Sequence, residues 1–201
     1  MVFISPHPDD ETLAAGGLIA SQCESNRDVT VIAVTDGENA YADQSGLGPI
    51  RVREQDTAVN LLGGGKVQMI RLGLVDSGVS SQFDRIVDRL AALVDRGTHL
   101  VAPFAGDYHP DHEACGRAAE RVAQASGCRL TQYFFWTWHR GTPADLHGLS
   151  LESFELTSSL MQKKLEALRC HRSQLENPGG EPILSHRLLA PARRNFEVFA
   201  R

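Results

Sequence analysis

The 201-residue sequence has no excess of basic charge: Lys and Arg number 20 against 25 Asp and Glu, a formal net charge of −5. A protein that grips a phosphate backbone normally shows a basic face, so no nucleic-acid partner is expected. No apolar run nears the roughly 20 residues a membrane helix needs, and no basic-then-apolar leader precedes the first strand. A soluble, cytoplasmic protein without a membrane span is therefore expected. The sequence has no CxxC pair, and Cys23, Cys115, Cys128 and Cys170 are too few and too scattered for a disulfide framework. It also lacks repeats, low-complexity tracts and long blocks of like charge, so one domain spanning residues 1–201 is expected. The turn after the first strand has no GxGxxG. It carries Asp9, Asp10 and Glu11 instead, which would repel a pyrophosphate and exclude a dinucleotide site there.

What is present is an alternation of short β-branched runs with helical patterns, the signature of parallel βαβ units. Strands are expected at Val2–Ser5, Val29–Thr35, Lys66–Leu72, His99–Phe104 and Leu130–Trp138, with a last edge strand at Phe196–Phe199. Helices are expected over Thr12–Cys23, Arg51–Leu62, Phe83–Arg96, Asp111–Ser126 and Leu156–Glu176. In the first of these, Leu13, Gly16, Gly17 and Ala20 are spaced for close packing on a sheet. Gly63-Gly64-Gly65 closes the second, and Asn177–Pro182 reads as a Pro/Gly turn. The fold class is a three-layer, Rossmann-like α/β domain with a mostly parallel sheet.

Ligands of such sheets bind beyond the carboxyl ends of strands. Ser5-Pro6-His7-Pro8-Asp9-Asp10-Glu11 follows the first strand, and His109-Pro110-Asp111-His112 follows the fourth. His7 and Asp10 are close enough to hold one ion from a single loop. Two histidines and one carboxylate suit a catalytic zinc, which takes three protein ligands and leaves a position for water. A carboxylate that is not a ligand must then take the water's proton, and Asp9 is the candidate. Asp111 is placed to accept a hydrogen bond from His109 and hold it as imidazolium toward a developing oxyanion or a departing amine. Either loop alone also reads as a capped helix start, with proline early and acidic residues at the positive end of the helix dipole. Their coincidence at two strand ends, each pairing His with Asp, favours a metal site. Cys115 would share a helix face with His112, either near the metal or as a small apolar residue facing the sheet.

The two loops resemble the (A/S)-x-HPDDE and HPDH motifs of the LmbE-like, or PIG-L, family of zinc-dependent N-deacetylases. Weaker matches are Thr35-Asp36-Gly37-Glu38, Arg51 with Glu54 ahead of Gly63, Val75-Asp76-Ser77-Gly78, and His171-Arg172-Ser173-Gln174. The resemblance spans essentially the whole chain. It implies that His7, Asp10 and His112 bind zinc or another divalent cation, that Asp9 is the general base, and that His109, supported by Asp111, is the electrostatic and acid partner. It further implies that Arg51 and Asp76 contact the sugar. Some members place a tyrosine two residues before the first His of HPDH. Asp107 stands there in this sequence, with Tyr108 one place later, and no tyrosine role follows.

The implied activity is hydrolysis of an acetamide on a small N-acetylated amino sugar of the N-acetylglucosamine type. The alternatives are a metal-dependent amidase acting on a non-sugar or thiol-conjugate amide, and a non-catalytic α/β binding module. Loops 39–50, 73–82 and 139–150 are expected to select the group that bears the amine, with Trp138, His139 or Arg140 available to stack on a sugar. A homo-oligomer is compatible with everything in the sequence.

Overall fold

Strands β1 (Val2–Ser5), β2 (Val29–Thr35) and β3 (Val67–Leu74) pair in parallel, with Phe3 opposite Val31 and Val31 opposite Met69. In this computed structural model, which describes residues 1–41, 46–177 and 180–201, the chain then crosses to the other side of β1. There it lays down β4 (His99–Pro103), with Phe3 opposite Val101, and β5 (Arg129–Tyr133), both parallel to β1. The sheet order is β3-β2-β1-β4-β5-β7-β6, so the strand order reverses between β1 and β4. That crevice is where an open α/β sheet binds its ligands.

Helices cover both faces. On one face, α1 (Asp10–Glu24) and α2 (Leu47–Gly63) bury Ile19, Ala58 and Leu62 against Phe3 and Val31. On the other, α3 (Phe83–Ala91) and α4 (Pro110–Ser126) bury Ile86, Leu90 and Ala118 against Ile4, Ile32 and Leu100. Helix α2 ends as the triple glycine suggests: Gly64 takes φ +58, which favours glycine, and its N–H reaches the Asn60 carbonyl. Gly17 serves the close packing expected of it. A Cβ there would lie 2.2 Å from Leu156 and 3.2 Å from Glu197 of the sheet, so the helix approaches both the sheet and the segment that leads out of it.

The carboxyl-terminal third departs most from the sequence reading. Strand β5 stops at Tyr133, and residues expected to continue it form α5 (Thr137–Arg140). The backbone N–H groups of Phe135, Trp136 and Thr137 turn to the buried carboxylate of Asp107 instead of a neighbouring strand. The expected helix Leu156–Glu176 is two helices, α6 (Ser158–Leu168) and α7 (Arg172–Leu175). Thr157 caps the first by accepting from the Leu160 N–H, while Leu156 remains extended and bonds the Asn195 carbonyl. Strand β6 (Leu151–Glu155) was not expected, because four of its five residues are exposed and it shows no apolar alternation. Strand β7 (Phe196–Ala200) is not at the edge; it lies antiparallel between β5 and β6. Its Glu197 accepts from Lys164 of α6 and from the Gly17 and Leu18 N–H groups of α1, tying three elements together. Of the expected loops, residues 42–45 of 39–50 and residues 178–179 of the Asn177–Pro182 turn lie outside the described residues.

Candidate metal centre and active site

The β1–α1 turn is built around its own carbonyl and carboxylates. The Asp9 and Asp10 N–H groups both donate to the His7 carbonyl, and the His7 N–H donates to Asp10 Oδ2 at 2.9 Å. Glu11 is fully buried behind this turn and accepts from Ser5 Oγ, Thr12 Oγ1 and Gln55 Nε2. Three acidic residues that look alike in sequence thus separate: Glu11 braces the loop, while Asp9 and Asp10 face the crevice.

Asp10 Oδ2 lies 3.2 Å from His7 Nδ1 and 3.2 Å from His112 Nε2. His112, fully buried at the start of α4, gives its Nδ1 to Asp107 Oδ2 at 2.9 Å. With Nδ1–H fixed on a carboxylate, the neutral ring turns a lone pair at Nε2 toward Asp10. That buried atom has no hydrogen-bond partner. A lone pair facing a carboxylate oxygen needs a cation or a proton between them. Burial works against charging His112, but Asp10 and Asp107 outweigh it and push the imidazole up to about 9. Asp10, despite burial, is held well below the usual carboxylate range by His112 and His7.

His7 completes the group. Its Nε2 lies 3.3 Å from both Asp76 Oδ1 and Asp111 Oδ2, so two carboxylates can fix that edge of the ring and leave Nδ1 for an ion. Ligating histidines are commonly oriented in this way by a carboxylate on the far nitrogen. Burial disfavours charge on His7, yet Asp10, Asp111 and Asp76 raise it well above the ordinary imidazole range. The surrounding carboxylates favour charged imidazoles here, and a divalent cation would compete with protons for the same atoms. Candidate ligand atoms of His7, Asp10 and His112 all lie within 4.8 Å of one another, as do those of a second group, His7, His109 and Asp111. The first set fits a cation better, because Asp111 is already taken up by the Ser77 and Val79 N–H groups and His7.

The expected pairing of Asp111 with an imidazolium at His109 is not what the structure shows. His109 Nδ1 accepts from the Asp111 backbone N–H, and the Asp111 carboxylate goes to His7. Burial, followed by repulsion from His112 and His7, holds His109 down to about 4, so it is a neutral ring with its proton on Nε2. Trp136 stacks on it at 5.7 Å with an interplanar angle of 16°, and Arg140 covers Trp136 at 3.9 Å while donating to the Tyr108 carbonyl.

Asp9 is buried beside Arg51, whose Nη2 lies 3.9 Å from Asp9 Oδ2. Burial and the neighbouring Asp10 charge push Asp9 up to about 7, against the pull of Arg51 and His7. Arg51 is itself held by the Gly37 carbonyl and Gln174 Oε1, and Glu54 accepts from the Ser173 N–H and hydroxyl. The two weak matches in α2 and α7 therefore meet in space. Asp76, besides contacting His7, accepts from the Asn39 N–H.

These residues line a cleft of about 250 Å³ whose wall includes His7, Asp9, Asp10, Arg51, Asp76 and His109. Loop 139–150 contributes none of its described lining, contrary to expectation; Trp136, Ile183, Leu184 and Leu188 do. Trp138 packs on Phe134 and Arg194 instead. Cys115 is buried in the core with Ile4 and Ala102, as its apolar reading has it, and joins neither candidate ligand group. Two contributors went unnoticed in the sequence. Asp107 could have been found by asking which carboxylate orients His112. Trp136 carried no signal beyond lying in an aromatic run.

Fold and site together define a doubly wound α/β protein with a candidate cation centre at its strand-order reversal. The profile of the PIG-L family, GlcNAc-PI de-N-acetylase, matches residues 2–123, and the chain belongs to that family. It is 30% identical over 190 residues to a probable N-acetyl-alpha-D-glucosaminyl L-malate deacetylase 2 of Bacillus cereus, covering 88% of this chain and 84% of that one. It is 29% identical over 244 residues to the 1D-myo-inositol 2-acetamido-2-deoxy-alpha-D-glucopyranoside deacetylase of Corynebacterium glutamicum, covering 92% and 80%. Its fold matches N,N'-diacetylchitobiose deacetylase from Pyrococcus horikoshii with a TM-score of 0.68 at 23% identity, over 88% of this chain and 70% of that one. No helix among the described residues is long and apolar enough to cross a membrane.

Proposed function

We propose that this protein is a metal-dependent hydrolase that removes the N-acetyl group from a small N-acetylated amino-sugar conjugate, with zinc held by His7, Asp10 and His112. The carrying observation is the buried His112 Nε2, unpartnered and 3.2 Å from the Asp10 carboxylate, with Asp107 fixing the opposite nitrogen. A mixed imidazole and carboxylate set of three matches the donors of catalytic zinc. The names of the relatives supply the acetamide and the amino sugar.

When bound, the cation supplies polarisation of the acetyl carbonyl and a more acidic water. Asp9 accepts the proton of the attacking water, a task suited to a carboxylate near neutrality. Arg51 keeps that carboxylate in place, and Asp76 and Asp111 keep His7 turned toward the ion. His109, neutral and protonated on Nε2, donates a hydrogen bond to the oxygen that gains charge as the carbonyl carbon becomes tetrahedral. Asp9 then returns its proton to the nitrogen as the C–N bond breaks, leaving acetate and the free amine.

The test pairs metal analysis of protein purified without chelator with acetate release from a panel of N-acetylglucosamine conjugates and non-sugar acetamides. About one equivalent of bound cation and release from the sugar conjugates are expected. Tight cation binding with release only from non-sugar amides would overturn the sugar assignment, and absence of binding would overturn the metal centre.

A further inference from the structure

We infer that the sugar's partner group in this pocket is apolar and uncharged, an alkyl or aryl aglycone rather than one bearing a carboxylate or phosphate. This rests on the amino-sugar reading above and concerns the apolar part of the cleft wall. Phe135, Trp136, Ile183, Leu184 and Leu188 form that wall. Its aliphatic part also offers few backbone donors. The Ile183 N–H donates to the Tyr41 hydroxyl, the Leu184 N–H to the Gln174 carbonyl, and the Leu188 N–H to Ser185 Oγ. An anionic group laid there would lose water and find these three N–H groups already taken.

Charge points the same way. Arg51 is the one arginine or lysine among the described lining residues, and it is buried on Gly37, Gln174 and Asp9. Against it stand Asp9, Asp10 and Asp76, so even with a divalent cation bound the cleft holds no spare positive charge for an anionic aglycone. Of the arginines next to this wall in sequence, Arg140 bonds the Tyr108 carbonyl and covers Trp136, and Arg187 is exposed to water, which screens its charge. Residues 42–45, Ala-Asp-Gln-Ser, add no basic side chain.

The experiment uses two N-acetylglucosaminides of equal chain length, hexyl and 5-carboxypentyl, each as both anomers. Binding is measured calorimetrically on the zinc-loaded protein, and acetate release separately. The hexyl glycoside is expected to bind about tenfold or more tighter. Leu188→Lys, with Ile183→Lys as an independent second variant, is expected to reverse the order. Equal or tighter binding of the carboxypentyl glycoside by the unaltered protein overturns the inference. Preferential hexyl binding without acetate release sustains it and overturns the deacetylase reading. Acetate release from both glycosides at equal affinity does the opposite.

Discussion

Residues before α4 ends and residues after it build two sides of one cleft by different means. In the first part, His7, Asp9, Asp10, His109 and His112 lie in the turns and helix starts that come after β1 and β4, neighbouring strands in the sheet. Their positions follow from local spacing and from the reversal of strand order. In the second part, Trp136, Ile183, Leu184 and Leu188 reach the cleft from irregular chain, and groups distant in sequence capture the backbones of the first three. On the proposed function the contrast separates reaction from selection: the sheet edge carries the chemistry, and the carboxyl-terminal wall varies what enters.

Breaking the sheet-edge side carries the largest expected effect. His112→Ala removes the proposed buried ligand, and loss of bound cation with turnover below about one-thousandth is expected by metal analysis and acetate release. Asp9→Asn comes next: the cation is retained while kcat falls about 10²- to 10⁴-fold. The pH profile sharpens that assignment. Asp9 accepts a proton only when ionised, so kcat/KM falls as pH drops through its pKa. The metal-free value of about 7 moves down when a cation sits beside the carboxylate. The rising limb therefore lies at or below pH 7, and Asp9→Asn removes it.

Asp107→Asn probes the joint between the two sides, since this carboxylate holds both His112 and the N–H groups at 135–137. Cation affinity is expected to weaken about 10- to 100-fold, read by competition with a chromogenic chelator. Trp136→Leu, on the carboxyl-terminal side, removes the stack on His109 and is expected to lower kcat only about two- to tenfold with cation content unchanged. Cys115→Ala is expected to leave cation content and kcat unaltered and to cost about 1 kcal/mol of stability in denaturant unfolding.

The same contrast explains what could be read from the sequence. β2 is seven residues of nearly unbroken β-branched and small apolar character, and its bounds were legible to the residue. The HPDDE and HPDH loops stood out because each sets His and Asp at a strand end. Asp107 was passed over because its partner lies five residues on, across a turn, and local spacing does not show that contact. β5 was overextended because the apolar run Phe134–Trp136 has strand character, and only the fold brings Asp107 beneath it. β6 has no buried face to give it a period, and the break between α6 and α7 falls where His171 is drawn into the core toward Thr12. Helical period does not mark Arg51 as buried, and only the fold brings Gly37, Gln174 and Asp9 around it.

The central claim is that two adjacent aspartates have divided tasks, Asp10 holding the ion and Asp9 moving the proton. The most direct measurement compares Asp9→Asn and Asp10→Asn for zinc affinity and for the rate of acetate release at saturating zinc. The account predicts near-native zinc affinity with lost turnover for Asp9→Asn, and sharply weakened zinc affinity for Asp10→Asn. Equal loss of zinc from both variants, or near-native turnover in Asp9→Asn, would contradict it.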